Sequence, residues 1–126
     1  MPLTPARDGV YSASLDTILA SAARTATGQS SEFRSFTASA IVIEVNVTAA
    51  SGTTPTLDVD LQDTFDGTNW HKVSDVNAAD ITTTGLTVKR INLRDNPCTD
   101  RLRINFTIGG TTPSFTFTVK AYTIRD

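Results

Sequence analysis

The chain of 126 residues, 13.5 kDa in mass, fits one domain and is long enough to bury a core without a disulfide or metal staple. Its 22 Thr, 9 Val and 8 Ile against 2 Glu and 3 Lys favour strands over helices. With 11 basic and 13 acidic residues, a formal net charge of -2 and a pI near 5.2, the composition argues against a general binder of nucleic acid or of membrane surfaces, and it names no function.

In chain order, residues 1–14, with Pro2, Pro5 and Gly9, read as an N-terminal tail or arm, and residues 15–126 as a single domain. The Ala, Ser and Thr-rich stretch to Ser31 carries Leu15, Ile18, Leu19 and Ala22 at a spacing that fits either a short helix or an extended strand. Its threonines and Gly28 tip the reading to extended. From Ile41 the period is clear, because Ile41, Ile43, Val45 and Val47 alternate with Val42, Glu44, Asn46 and Thr48. Residues 49–55 supply turn residues, after which Leu57, Val59 and Leu61 point inward and Asp58, Asp60 and Gln62 outward. The Asp66-Gly67-Thr68-Asn69 turn signal makes residues 56–74 a hairpin.

Beyond Gly85, Leu86 and Val88 occupy even positions and Ile91 and Leu93 odd ones, a phase slip that predicts a bulge near Lys89 and Arg90. The clearest hairpin of the sequence pairs Leu102, Ile104, Phe106 and Ile108 with Phe115, Phe117, Val119 and Ala121 across the turn at residues 109–113. No internal repeat at a fixed period is visible. The expected fold is all-β: an antiparallel β-sandwich of about seven or eight strands, jelly-roll or immunoglobulin-like, with an extended N-terminal arm. Ile43, Val45, Leu57, Val59, Ile104, Phe106, Phe115 and Phe117 are its expected core, which Trp70 is expected to join.

Few residues offer chemistry. Cys98 is the sole cysteine, which excludes an intrachain disulfide and a cysteine-based zinc site, and without a visible base it reads as a packed side chain. His71 is the sole histidine and has no G-x-S-x-G serine and no second histidine to work with. Phosphate-cradling glycine loops are absent. No catalytic residue and no cofactor are expected. Among the carboxylates, Asp58, Asp60, Asp63 and Asp66 are weak candidates for an ion site, since aspartates at a turn suit a hard cation, although their spacing is not that of an EF-hand. Outward positions on a strand do not give the desolvated pair that glycoside hydrolysis needs. Charge is unevenly placed: six Asp and one Lys from Asp58 to Asp80 give -5, and five basic residues and two Asp from Lys89 to Arg103 give +3. The apolar run Ile18-Leu19-Ala20 is too short for a signal sequence or membrane span, so a soluble, cytoplasmically made chain with no membrane partner is expected.

Residues 49–59, continuing to Asp66-Gly67-Thr68-Asn69-Trp70, together with Arg101-Leu102-Arg103 and Thr112-Pro113-Ser114-Phe115-Thr116-Phe117, resemble small β-rich structural proteins encoded in the head modules of tailed bacteriophages. The resemblance implies a non-enzymatic virion component, a decoration or cement protein that sits on the capsid exterior and is in the host cytoplasm before assembly. It further implies the major capsid protein as partner and a homo-oligomer, trimer or dimer. A tail, connector or baseplate subunit is the alternative within a particle, and a carbohydrate-binding module using Trp70 is the alternative outside it.

Overall fold

The structure is a computed structural model and describes residues 12–125. It contains strands β1 (Ser12–Arg24), β2 (Gly28–Gln29), β3 (Phe33–Arg34), β4 (Ala40–Thr64), β5 (Trp70–Asp75), β6 (Gly85–Asn92) and β7 (Arg101–Arg125). All pairings between them are antiparallel. Residues 1–11 of the expected arm lie outside the described residues, and Ser12–Ser14 pair in β1, with Ser14 opposite Thr123. The Ala, Ser and Thr-rich stretch is thus used inside the chain's own sheet. Register shifts between Thr17 and Ala22 explain its helix-like spacing, because each inserted residue breaks the period of two.

Two 25-residue strands, β4 and β7, run side by side from Ala40 opposite Ile124 to Asp63 opposite Leu102. Both bend midway. The resulting ribbon folds over on itself and forms the centre of two packed layers. In the first layer the order is β1, the 115–125 half of β7, the 40–47 half of β4, then β6. In the second it is β2 and β3, the 101–108 half of β7, the 57–64 half of β4, then β5. The expected hairpin across residues 109–113 is therefore a corner: Leu102–Ile108 and Phe115–Ala121 do not pair with each other, and each pairs with a different half of β4. Alternation, turn, alternation is the local pattern of both arrangements, and only long-range pairing separates them.

The two corners are copies of one motif. Gly52-Thr53-Thr54-Pro55 and Gly110-Thr111-Thr112-Pro113 have the same sequence, and Thr53 faces Thr111 in the ladder. Gly52 and Gly110 adopt φ of 115° and 113°, Thr54 and Thr112 adopt 46° and 47°, and in each the second threonine hydroxyl donates 2.8 Å to the carbonyl before it. The corners cross in contact: a Cβ on Gly52 would lie 2.8 Å from Pro113 Cα, and one on Gly110 2.9 Å from Pro55 Cα. The internal repeat not visible as a period is thus a duplicated corner.

Every residue expected in the core is there except Trp70. Phe106 of the second layer meets Phe117 of the first edge-on, with ring centroids 5.4 Å apart. No bulge interrupts β6, whose ladder with β4 is regular from Ala40–Asn92 to Val47–Gly85. The phase slip arises because Ile91 faces the core while Leu86 and Val88 lie on the outer face, 61% and 42% exposed.

Truncating Phe117 to Ala is expected to cost about 3–5 kcal/mol of stability in denaturant titration; a loss below about 1 kcal/mol would place its ring outside the core. Gly52→Ala and Gly110→Ala should each cost at least about 2 kcal/mol, since each adds left-handed strain to a backbone clash, whereas Gly85→Ala, where a Cβ meets nothing within 4 Å, should cost less.

Candidate functional site

The outer face of the second layer holds two of the four aspartates singled out by sequence, Asp58 and Asp60. Asp60 of β4 lies directly opposite Asp75 of β5, and Asp58, two positions along, shares that face. One ligand-type oxygen from each of these three carboxylates lies within 4.8 Å of the others. Like charges placed opposite one another destabilise a ladder unless something offsets them. Lys72 supplies part of the offset, with Nζ 2.9 Å from Asp75 Oδ1 and 3.8 Å from Asp60 Oδ1. Asp60 is buried, and its Oδ1 has no hydrogen-bond partner. Burial above all, then the hydrogen bond with Asp75 and the charge of Asp58, pushes the Asp60 carboxyl up to about 6. Asp75 moves the other way, held below the usual range by the hydrogen bond from Lys72.

The other two candidate carboxylates do not join this group. Asp63 turns inward at the end of the strand, where its Oδ2 accepts 3.0 Å from the Thr99 amide. Asp66 organises the turn after β4: its Oδ1 accepts from the Thr68 and Asn69 amides at 2.8 Å each, which holds its carboxyl far below the usual range. The sequence put four aspartates together by proximity, and the fold replaced two of them with Asp75, fifteen residues from Asp60 but adjacent across the ladder. Asn77 also escaped notice. Its side chain is buried, accepts from Val59 N at 2.7 Å and donates to Ala79 O at 2.8 Å, so it continues the ladder where β5 ends.

Trp70 packs on the outer face, where the Arg103 guanidinium sits 4.3 Å from its ring centroid and donates 2.7 Å to Gln62 Oε1. One ring face is thereby covered. His71 is exposed and lies 5.6 Å from the Phe65 ring, and Cys98 is half-buried with its thiol pushed up by burial. Arg101 pairs with Glu32 at 2.8 Å in the second layer while Arg90 lies on the first, so the basic segment is divided between the layers and forms no separate pole.

The outer face of the first layer is different in kind. Leu15, Val42, Val88 and Tyr122 line a shallow groove of about 360 Å³ together with Glu44, Arg90 and Lys120. Leu86 extends its apolar side along the β6 edge. This face therefore mixes exposed apolar side chains with both signs of charge.

Because the folded-state value of Asp60 lies above its ordinary 3.8, the stability it contributes is complete below about pH 4 and lost as pH rises through about 6. Relative to an uncharged Asp60→Asn variant, the wild type should lose about 1 kcal/mol between about pH 4 and pH 7, discounted for screening by Lys72 and solvent. Urea titrations of both proteins across that range measure it; a constant difference would refute it.

No protein-family model matches the sequence, and no curated protein matches it. Solved structures do share the fold. A structure of the SPBc2 prophage-derived protein YomS superposes with a TM-score of 0.56 at 10% identity, covering 95% of this chain and 99% of that one. A chain from the infectious bursal disease virus Gx strain gives a TM-score of 0.58 at 15% identity over 98% of this chain, and one from the Gt strain 0.55 at 13% over 91%. This chain spans only 35% and 32% of those viral chains. At such identities the likeness is one of fold: an all-β sandwich built like a prophage-derived protein and like part of a viral chain.

Proposed function

We propose that the protein is a non-enzymatic bacteriophage virion component, a decoration or cement subunit that binds the capsid exterior as a homo-oligomer. The observation that carries this reading is the outer face of the first layer, where Leu15, Leu86 and Val88 are exposed beside Val42 and Tyr122. A soluble subunit has no physical reason to place a contiguous apolar row on water unless another surface covers it. Glu44, Arg90 and Lys120 on the same face offer both signs of charge, which suits a symmetric contact where one copy's carboxylate meets another's cation. The fold shared with a prophage-derived protein and with viral chains supports a particle role. A folded ribbon with crossed corners also suits a part that must stay rigid while bridging neighbours. Oligomerisation then multiplies modest contacts with the major capsid protein, since linked copies raise avidity by about 10² to 10⁴ without new contacts. The partly covered Trp70 ring does not favour the carbohydrate-binding alternative.

The double variant Leu86→Glu, Val88→Glu is expected to keep the β-type dichroism spectrum while sedimenting as a smaller species than wild type. It should also bind at least about tenfold more weakly to capsids stripped of the protein. Particles lacking the protein should burst more readily on heating. Labelling confined to the tail would overturn the decoration reading in favour of a tail or connector subunit, and unchanged sedimentation of the variant would overturn the assignment of this face.

A further inference from the structure

The outer face of the second layer carries a feature that virion attachment does not use. Asp58, Asp60 and Asp75 come from two neighbouring strands, and their oxygens lie within 4.8 Å of one another. Oxygens bound to one calcium at about 2.3–2.6 Å sit up to about 5 Å apart across the ion, so a single hard cation spans this group without rearranging the backbone. A second observation is independent of the acidic count. The Asp60 side chain is nine-tenths buried, and its Oδ1 lacks a hydrogen-bond partner. A buried oxygen in that state is rare in a folded protein and costs stability until something ligates it.

Lys72 does not fill that role. Its ammonium bonds Asp75 at 2.9 Å and stands 3.8 Å from Asp60 Oδ1, beyond hydrogen-bond reach. Its side chain is half exposed, free to swing into solvent when a stronger cation arrives. The other charge acting on this group is Lys89 of β6, which stabilises the ionised form of Asp75. We propose that Asp58, Asp60 and Asp75 form a calcium site that clamps β5 to β4, with Lys72 as the resident counter-ion that calcium displaces. Calcium is favoured over magnesium because a sheet-face site of three carboxylates, completed by water, accepts calcium's variable geometry. Magnesium demands near-ideal octahedral coordination and dehydrates reluctantly.

The test uses the full chain, stripped with EDTA and dialysed, and follows thermal unfolding at pH 7.5 with calcium chloride up to 10 mM. Magnesium chloride and sodium chloride of equal ionic strength serve as controls. Calcium should raise the midpoint by at least about 3 °C above the sodium control, with a dissociation constant near 10⁻⁴ to 10⁻³ M. Asp60→Asn and Asp75→Asn, both near-isosteric, should fold and lose the calcium response, and Lys72→Met should tighten binding by about threefold or more by removing the competitor. A calcium response no larger than that of sodium, or one unchanged in Asp60→Asn, would overturn the site. An equal response to magnesium would overturn the choice of ion. Capsid attachment is not read in this experiment, so its outcome is independent of the virion assignment.

Discussion

The fold depends on the crossing of two backbone corners. Gly52 and Gly110 each leave room for the other corner's proline at distances where a Cβ would collide, and each takes a φ that other residues adopt only under strain. With both corners in place, β4 and β7 stay paired while the ribbon they form doubles back. Hydrogen bonding therefore continues from one layer into the other through the same two strands. Phe106 and Phe117, one from each side of the fold, then meet edge-on in the centre.

That central ribbon frees the outer strands for other uses. β6 contributes Ile91 to the core but turns Leu86 and Val88 to water, while β5 contributes Lys72 and Asp75 to the opposite outer face. The two faces are chemically distinct: one apolar with scattered charge, the other dense in carboxylates with a stacked Arg103 and Trp70. The core between the layers is filled mainly by side chains of β4 and β7, and the outer faces lie outside it.

Several local devices hold the ends in register. Asp100 accepts from the Phe36 amide at 2.7 Å and binds Arg34, which secures the left-handed turn at Phe36 and Thr37. Thr64, fully buried, donates to the Asn69 carbonyl and accepts from the Gly67 amide, closing the turn that aims β5 back along β4. The Asp100 bonds tie together segments distant in sequence at the surface, whereas the Thr64 bonds are local and satisfy a buried hydroxyl.

Alternation in residues 41–47, 57–61, 102–108 and 115–121 determined, from sequence alone, that the chain is all-β and which side chains point inward, because a strand buried on one face forces a period of two. Tertiary structure decided the rest. Whether 109–113 is a hairpin or a corner, and whether Leu86 and Val88 mark a bulge or an exposed face, depends on which strand lies alongside, and periodicity carries no information about partners. The same holds for the carboxylates: spacing along the chain favoured Asp63 and Asp66, but the β4–β5 register brought Asp75 to Asp60 instead. Local patterning fixes the direction of each side chain relative to its neighbours, whereas pairing and register follow from the free energy of closing one shared core, a property of the whole chain.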